Sequence, residues 1–146
     1  MAITATQTHR FSLTVKMMDA EFWRFNLYLV CEMLDAAGER IDYIHRFDLV
    51  AEKEPYPTEQ PADYKSERVV EMEIGECASA RVLLYLIPFA LPVERMIDDV
   101  PSLSMSLAIA QDGKEAARYE LEANPWSGRR LDFTLPIGSG EIIRGR

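Results

Sequence analysis

The chain has 146 residues with 16 basic and 24 acidic side chains, so its formal net charge is −8. This acidity disfavours a nucleic-acid partner and docking on anionic membranes, since both require a basic surface. The longest apolar run, Val82 to Ile87, is far shorter than the roughly 20 residues of a membrane-spanning helix. The length and the 48% hydrophobic content suit one folded domain, to which we assign residues 1–146.

The N-terminus and the cysteines indicate the compartment. Residues 1–10 lack the charged and then apolar segments of a secretion signal, so we expect a cytoplasmic location. Two cysteines, Cys31 and Cys77, are too few for a disulfide framework, and we predict that both are small buried hydrophobic residues. Without a Cys-x-x-Cys pair, we expect no structural metal and no cofactor.

Alternation of apolar and polar residues with a period of two recurs along the chain and predicts strands with one buried face. Eight strands are predicted, over residues 11–16, 22–34, 39–50, 68–74, 80–87, 102–110, 115–123 and 130–136. Residues 92–99 are compatible with a short helix that begins at Pro92. The pattern predicts an all-β fold, an antiparallel two-layer sandwich of about eight strands with Greek-key-like connections.

In strand count and length, the chain resembles C2-type and transthyretin-type sandwiches, a resemblance of architecture that carries no motif. Calcium-dependent C2 domains supply clustered aspartates from facing loops, commonly with an Asp-x-Asp element. That element is missing from this sequence, and the adjacent pair Asp98-Asp99 offers too few of the six or more oxygen ligands that calcium needs. We therefore expect no metal site.

The turn between the second and third predicted strands is assigned to Ala36-Ala37-Gly38, because this loop length sets apolar residues opposite one another. Such a hairpin is a type I turn followed by a left-handed residue, and Gly38 is expected there with positive φ. The predicted register pairs Met33 with Ile41, Cys31 with Tyr43, Leu29 with His45, Leu27 with Phe47 and Phe25 with Leu49. This face of the third strand is therefore predicted to lie in the core.

On that face, His45 is predicted to be an internally hydrogen-bonded histidine. A catalytic base needs a supporting carboxylate, and Asp48, three residues further on, points to the opposite side of a strand.

The second hairpin poses the same question of register. Asp112-Gly113 favours a two-residue type I′ turn, but that turn sets Leu107 opposite Arg118. A three-residue turn over 111–113 pairs Leu107 with Ala117 instead. Because a one-residue slip inverts a strand, we predict the three-residue turn, with positive φ at Gly113.

Two irregular segments complete the domain. Residues 51–67 contain three prolines and many charges, which predicts a long crossing loop between the third and fourth strands. Residues 137–146 contain three glycines and are predicted to be a flexible tail.

The candidate binding site is the link between the last two strands, which carries Trp126, Arg129 and Arg130. Tryptophan and arginine are favoured in interface anchors, and together they suit a sugar, a carboxylate or a phosphate. The competing interpretation is that Trp126 folds back over the open end of the sandwich while the arginines balance nearby acids.

We therefore expect a non-catalytic β-sandwich module that mediates interaction with a protein partner of unknown identity. The alternative is a carbohydrate- or small-ligand-binding sandwich, using aromatic residues such as Tyr28, Tyr85 or Trp126. An enzyme is less favoured, because the sequence has neither a Gly-x-Ser-x-Gly elbow nor a phosphate-binding loop. A homodimer is left open.

Overall fold

The computed structural model describes residues 8–64 and 67–137. These residues form two antiparallel four-stranded sheets packed face to face, which confirms the predicted all-β sandwich. The strands are β1 (His9–Met17), β2 (Phe25–Leu34), β3 (Arg40–Asp48), β4 (Arg68–Cys77), β5 (Ser79–Pro88), β6 (Leu103–Gln111), β7 (Lys114–Ala123) and β8 (Arg129–Leu135).

The strand order determines which loops meet. One sheet has the order β4-β1-β6-β7 and the other β3-β2-β5-β8. Only the β2–β3 and β6–β7 hairpins stay within a sheet, so every other connection between these strands passes from one layer to the other. The β1–β2, β3–β4, β5–β6 and β7–β8 connections consequently lie at the same end of the sandwich, which we call the loop end.

The core lies between the two sheets and is built from alternate residues of their strands. Phe11, Phe25, Leu29, Leu84 and Leu107 are among the largest side chains that are fully buried. Each such side chain contributes about 1.5–3 kcal/mol through its removal from water, which accounts for the period-two pattern of the sequence. Cys31 and Cys77 are free and buried, as predicted.

Arg68 is a buried cation that ties the two sheets together at the loop end. Its Nε lies 2.6 Å from the Asp48 carboxylate, and its Nη1 donates to the carbonyls of Phe22 and Phe25 at 3.1 and 3.0 Å. Its Nη2 also donates to the Asp48 carbonyl at 2.7 Å. The guanidinium therefore donates to backbone carbonyls that would otherwise be buried without a donor. Its own charge is paired with the Asp48 carboxylate, as a buried charge requires.

Short 3₁₀ helices replace two parts of the prediction. The second strand begins at Phe25 and not at residue 22, because Ala20–Arg24 form a 3₁₀ helix capped by Asp19, whose side chain accepts from the Glu21 N–H at 2.8 Å. The helix predicted over 92–99 is limited to one 3₁₀ turn, Ile97–Asp99.

The β2–β3 hairpin has the predicted turn but the opposite faces. Gly38 has φ +82° and donates to Asp35 O at 3.0 Å, as expected for a type I turn followed by a left-handed residue. The register then shifts, because Leu34 pairs with Arg40 whereas Met33 pairs with Asp42, so Ile41 is an extra, bulged residue. The predicted pairs from Met33↔Ile41 to Phe25↔Leu49 were therefore wrong.

As a result of this shift, the apolar face of β3 points away from the core. Ile44 takes an inward position opposite Cys31, and Tyr43, His45 and Phe47 are exposed on the outer face. The prediction that His45 lies in the core with an internal hydrogen bond was wrong for the same reason. Asp48 does point to the other face, where it binds Arg68.

The β6–β7 hairpin has a turn one residue shorter than predicted. Gln111 pairs with Lys114 across a two-residue turn, in which Asp112 and Gly113 have φ +53° and +83°, the type I′ pattern. The predicted three-residue turn was wrong. A bulge at Ala116 restores the matching of faces, so Leu107 lies opposite Tyr119 and not Ala117.

The connection between β3 and β4 crosses between the sheets as predicted, and its described part contains no strand. Its start is fixed by Asn26, whose Oδ1 accepts from the Val50 and Ala51 N–H groups at 2.9 and 3.0 Å. The predicted tail lies outside the described residues except for its first residue, Ile137.

Candidate binding surfaces

The β7–β8 turn that carries Trp126 is closed by its own backbone. Asn124 and Gly128 exchange two backbone hydrogen bonds of 3.1 and 2.7 Å, and the Asn124 carboxamide accepts from the Trp126 N–H at 2.8 Å. Gly128 has φ +79°, and a Cβ built on it would lie 1.9 Å from the Leu86 carbonyl oxygen. The turn is thus pressed against the end of β5.

The structure does not bring the three predicted site residues to one surface. Trp126 is half-buried, and its indole N–H is buried with no acceptor among the described residues. Arg129 is the first residue of β8 and donates to the Glu122 carbonyl at 3.2 Å. Arg130 points to the opposite face, where its guanidinium lies 5.8 Å from the Tyr85 ring. Adjacent positions of a strand diverge in this way.

A second surface at the loop end is the β5–β6 connection, whose apolar side chains face solvent. Leu91, Val93, Met96 and Ile97 are 44, 76, 74 and 71% exposed. We call these four residues the apolar tip. Most large apolar side chains of the described residues are buried in the sandwich, so four exposed ones within seven residues are a distinct feature of this loop.

The base of the apolar tip is held in place by Phe89. Its N–H donates to the Arg24 carbonyl at 2.8 Å, and its ring packs against Trp23 and Tyr56 with centroid distances of 6.1 and 5.9 Å. Arg24 in turn stacks on the Trp23 ring at 4.6 Å. These contacts fix the point at which the loop leaves β5.

Ion pairs hold the loop further along. The Arg24 guanidinium lies 2.8 Å from Glu21 and 3.1 Å from Glu94, and Arg95 lies 3.5 Å from Glu21. The pKa of the Glu94 carboxyl is lowered, first by its own backbone N–H and then by Arg24. Polar residues of the loop therefore turn towards the sandwich while the apolar ones between them point outward.

A third surface is the outer face of the β3-β2-β5-β8 sheet, which the β3 bulge makes aromatic. Strand pairing arranges its side chains in three rows across the sheet. The first row is Phe47, Tyr28, Tyr85 and Arg130; the second is His45, Val30, Leu83 and Asp132; the third is Tyr43, Glu32, Arg81 and Thr134. We call these three rows the aromatic face. Tyr28 and Tyr85, expected as ligand-binding candidates, lie side by side in it.

Aromatic contacts link the rows along the β3 edge. The Tyr28 and Phe47 rings meet edge to face at 5.1 Å, and His45 lies 4.6 Å from Phe47 and 6.0 Å from Tyr43. Tyr43 and Phe47 remain 48 and 40% exposed. Tyrosine and arginine on one surface are the residues that dominate binding energy in protein interfaces.

A shallow hollow of about 260 Å³ opens in the aromatic face and is lined by both apolar and charged side chains. Glu32, Arg81 and Asp132 provide opposite charges around Leu83 and Tyr43. The volume is slightly below the ~300 Å³ at which small-molecule sites begin, so the hollow suits a small polar ligand.

Four further titratable groups, His9, Asp112, Cys31 and Cys77, lie away from these three surfaces. His9 lies 2.8 Å from Asp112 at the end of the sandwich opposite the loop end, and the backbone N–H of Arg10, followed by His9, lowers the pKa of the Asp112 carboxyl. Burial raises the pKa of the Cys31 thiol to about 12, and burial also raises that of Cys77. Such thiols are protonated at neutral pH and are poor nucleophiles.

No model of a known protein family matches the chain, and neither a curated protein nor a solved structure matches it. Within residues 8–64 and 67–137, no group of three His, Cys, Asp or Glu side chains is placed to hold a metal ion. The helices in that part of the chain are too short to span a bilayer.

Proposed function

We propose that the chain is a non-catalytic binding module that docks on a partner protein through its apolar tip. The observation that carries this proposal is the exposure of Leu91, Val93, Met96 and Ile97 on one anchored loop. Removing such side chains from water on binding contributes about 25 cal/mol per Å², which is the main driving force of protein association.

Anchoring of the loop supports the proposal because it lowers the entropy cost of binding. Phe89, Glu94 and Arg95 already hold the loop against the sandwich before any partner arrives. A loop fixed in its binding conformation loses less freedom on association than a mobile one.

The charge around the tip defines the chemistry of the partner. Glu94, Asp98 and Asp99 are exposed in the same segment with one cation, Arg95, so the segment has an acidic excess in a chain of net charge −8. A partner with an apolar groove bordered by lysine and arginine complements this arrangement. Anionic lipid is disfavoured, since the acidic side chains are repelled by its surface.

The test uses a photo-crosslinking amino acid at Met96 and, as a control, at Lys114 on the β6–β7 turn, which lies at the other end of the sandwich. A protein crosslinked only from position 96 is purified and titrated against the chain by calorimetry. Met96→Asp and Ile97→Asp are expected to weaken this binding at least about tenfold, because a carboxylate is then buried in the partner's groove.

Val69→Asp is the control, since Val69 is an apolar residue on the other sheet that is also exposed, by 42%. This variant is expected to bind normally. Equal binding by wild type and Met96→Asp contradicts the proposal. The proposal is also contradicted if the wild-type chain binds anionic vesicles and Met96→Asp abolishes that binding.

The hollow in the aromatic face supports a second candidate, the binding of a small carbohydrate or another polar ligand. Its neighbouring tyrosines provide apolar ring surface, and Arg81 and Asp132 provide hydrogen-bond donors and acceptors. A glycan array followed by titration of the best ligand tests this candidate. If Tyr43→Ala loses this binding and Met96→Asp keeps it, ligand binding in the hollow is favoured over docking through the apolar tip.

A further inference from the structure

The aromatic face differs from the outer face of the other sheet in both polarity and charge. Outward positions of the β4-β1-β6-β7 sheet include four exposed acids, Glu71, Glu73, Glu120 and Glu122, and only two exposed cations paired into the sheet rows with them, Lys16 and Arg118. On the aromatic face, two arginines balance two acids among apolar and aromatic side chains. In a protein of net charge −8, this face is the one that a second acidic molecule approaches without repulsion.

We propose that the aromatic face binds the same face of a second copy of this chain, about a two-fold axis parallel to the strands and between β2 and β5. Such an axis sets β2 of one copy over β5 of the other and β3 over β8, while each row keeps its level along the strands. In a two-fold interface every contact occurs twice, so the face must be complementary to itself.

The strand register makes the face self-complementary about this axis. On the inner strands, Tyr28 lies over Tyr85, Val30 over Leu83 and Glu32 over Arg81. On the outer strands, Phe47 lies over Arg130 and His45 over Asp132. These contacts pair ring with ring, aliphatic with aliphatic and acid with base, and they stack a guanidinium on a ring.

Other orientations lose this match. A two-fold axis perpendicular to the strands and through the second row sets Glu32 over Tyr28, so the carboxylate faces no cation of the other copy and has only Arg81 of its own chain beside it. The parallel axis gives Glu32 the Arg81 of the other copy. Glu32 and Arg81 lie on β2 and β5, the two strands that flank this axis, so their cross-copy contact is among the closest to it.

The size of the face indicates a weak dimer. Four strands about 4.8 Å apart, with their side chains, span about 19 Å, and the three rows cover five residues, or about 17 Å, along each strand. The three rows therefore offer about 320 Å² per copy, and about 650 Å² is buried in the pair, which is smaller than stable specific interfaces. A reversible dimer with a dissociation constant on the order of 100 μM is expected.

The experiment is sedimentation velocity of the full chain from about 1 to 500 μM, with charge-reversal variants of the central pair. Glu32→Arg sets two guanidinium groups together, because the new side chain faces Arg81 of the other copy, and Arg81→Glu sets two acids together. Each variant is expected to weaken the dimer about tenfold or more. Glu73→Arg, at an outward position of the other sheet, is the matched control and is expected to dimerise like wild type.

Mixing the two single variants provides the decisive measurement. In a mixed dimer, each arginine of the Glu32→Arg copy faces a glutamate of the Arg81→Glu copy, so dimerisation is expected to return when the variants are combined. This recovery requires both variants to be folded, which separates loss of the interface from loss of the fold.

Three results overturn the proposal. Wild type that stays monomeric at 500 μM shows that the face does not bind itself. A wild-type dimer unaffected by Glu32→Arg uses another surface. Failure of the mixed variants to associate, with each variant folded by circular dichroism, refutes the proposed axis.

Discussion

Replacement of Gly128 by alanine tests the close approach of the β7–β8 turn to β5. The added Cβ would lie 1.9 Å from the Leu86 carbonyl oxygen and 3.2 Å from Pro88 Cδ, whereas carbon and oxygen in contact are about 3.3 Å apart. The φ of +79° costs an alanine about 1–2 kcal/mol. Moving a backbone group away from the Cβ adds about 1–3 kcal/mol.

The expected loss of stability is therefore about 2–5 kcal/mol, a large part of the roughly 5–15 kcal/mol that stabilises a domain. Urea unfolding followed by circular dichroism measures it. Gly38→Ala and Gly113→Ala are matched controls, because both glycines have a similar φ but no atom within 4 Å of the added Cβ. These variants should lose only about 1–2 kcal/mol, the cost of the backbone conformation.

Asparagine separates the two causes further, because it tolerates the left-handed region. Gly38→Asn is expected to be nearly neutral, while Gly128→Asn should be as harmful as Gly128→Ala. If Gly128→Ala is no worse than the controls, the carbonyl of Leu86 does not approach the turn as described, and the reasoning is refuted.

Three further predictions concern the interior and the β3 register. Arg68→Met should lower the free energy of unfolding in urea by about 3–5 kcal/mol, because it leaves one carboxylate and three carbonyls without their donor; a loss below about 1 kcal/mol contradicts this role. Cys31 and Cys77 should resist a disulfide reagent at pH 8 and react in urea. Fast reaction of either thiol in the folded protein contradicts their burial. Because the pKa of Cys31 is raised to about 12 in the folded protein, its contribution to the free energy of unfolding is full below about pH 9 and is lost as the pH rises towards 12. Tyr43→Ala should lower the free energy of unfolding by less than about 1 kcal/mol, whereas Leu29→Ala should lower it by about 2–5 kcal/mol. Equal losses in the two variants contradict the bulged register.

The sequence predicted the strands well because burial of one sheet face imposes a period of two wherever a strand crosses the core. It also identified Gly38 and Gly113, since positive φ favours glycine. It could not predict the bulges at Ile41 and Ala116. An extra residue near αR carries no particular side-chain preference, and each bulge changes which residues face each other along the rest of the strand.

The candidate binding surfaces were also only partly predictable from the sequence. The predicted last strand began at residue 130, so Arg129 was assigned to the turn; β8 in fact begins at Arg129, and adjacent strand positions point to opposite faces. The apolar tip did have a signal, because apolar residues between Pro88 and Pro101 follow no alternation. Residues 92–99 of this segment were instead considered compatible with a short helix beginning at Pro92. The aromatic face had no such signal, since its apolar pattern is the same as that of a buried strand.

The bulge at Ile41 decides which face of β3 points outward. A hairpin of the same sequence paired without the bulge would place Tyr43, His45 and Phe47 inside the sheet and Ile44 outside it. Deleting Ile41 would instead join Arg40 directly to Asp42, so the pairs from Met33↔Asp42 onward would be kept in a regular ladder. The character of the outer surface therefore depends on the backbone path of this hairpin as much as on the identity of its side chains.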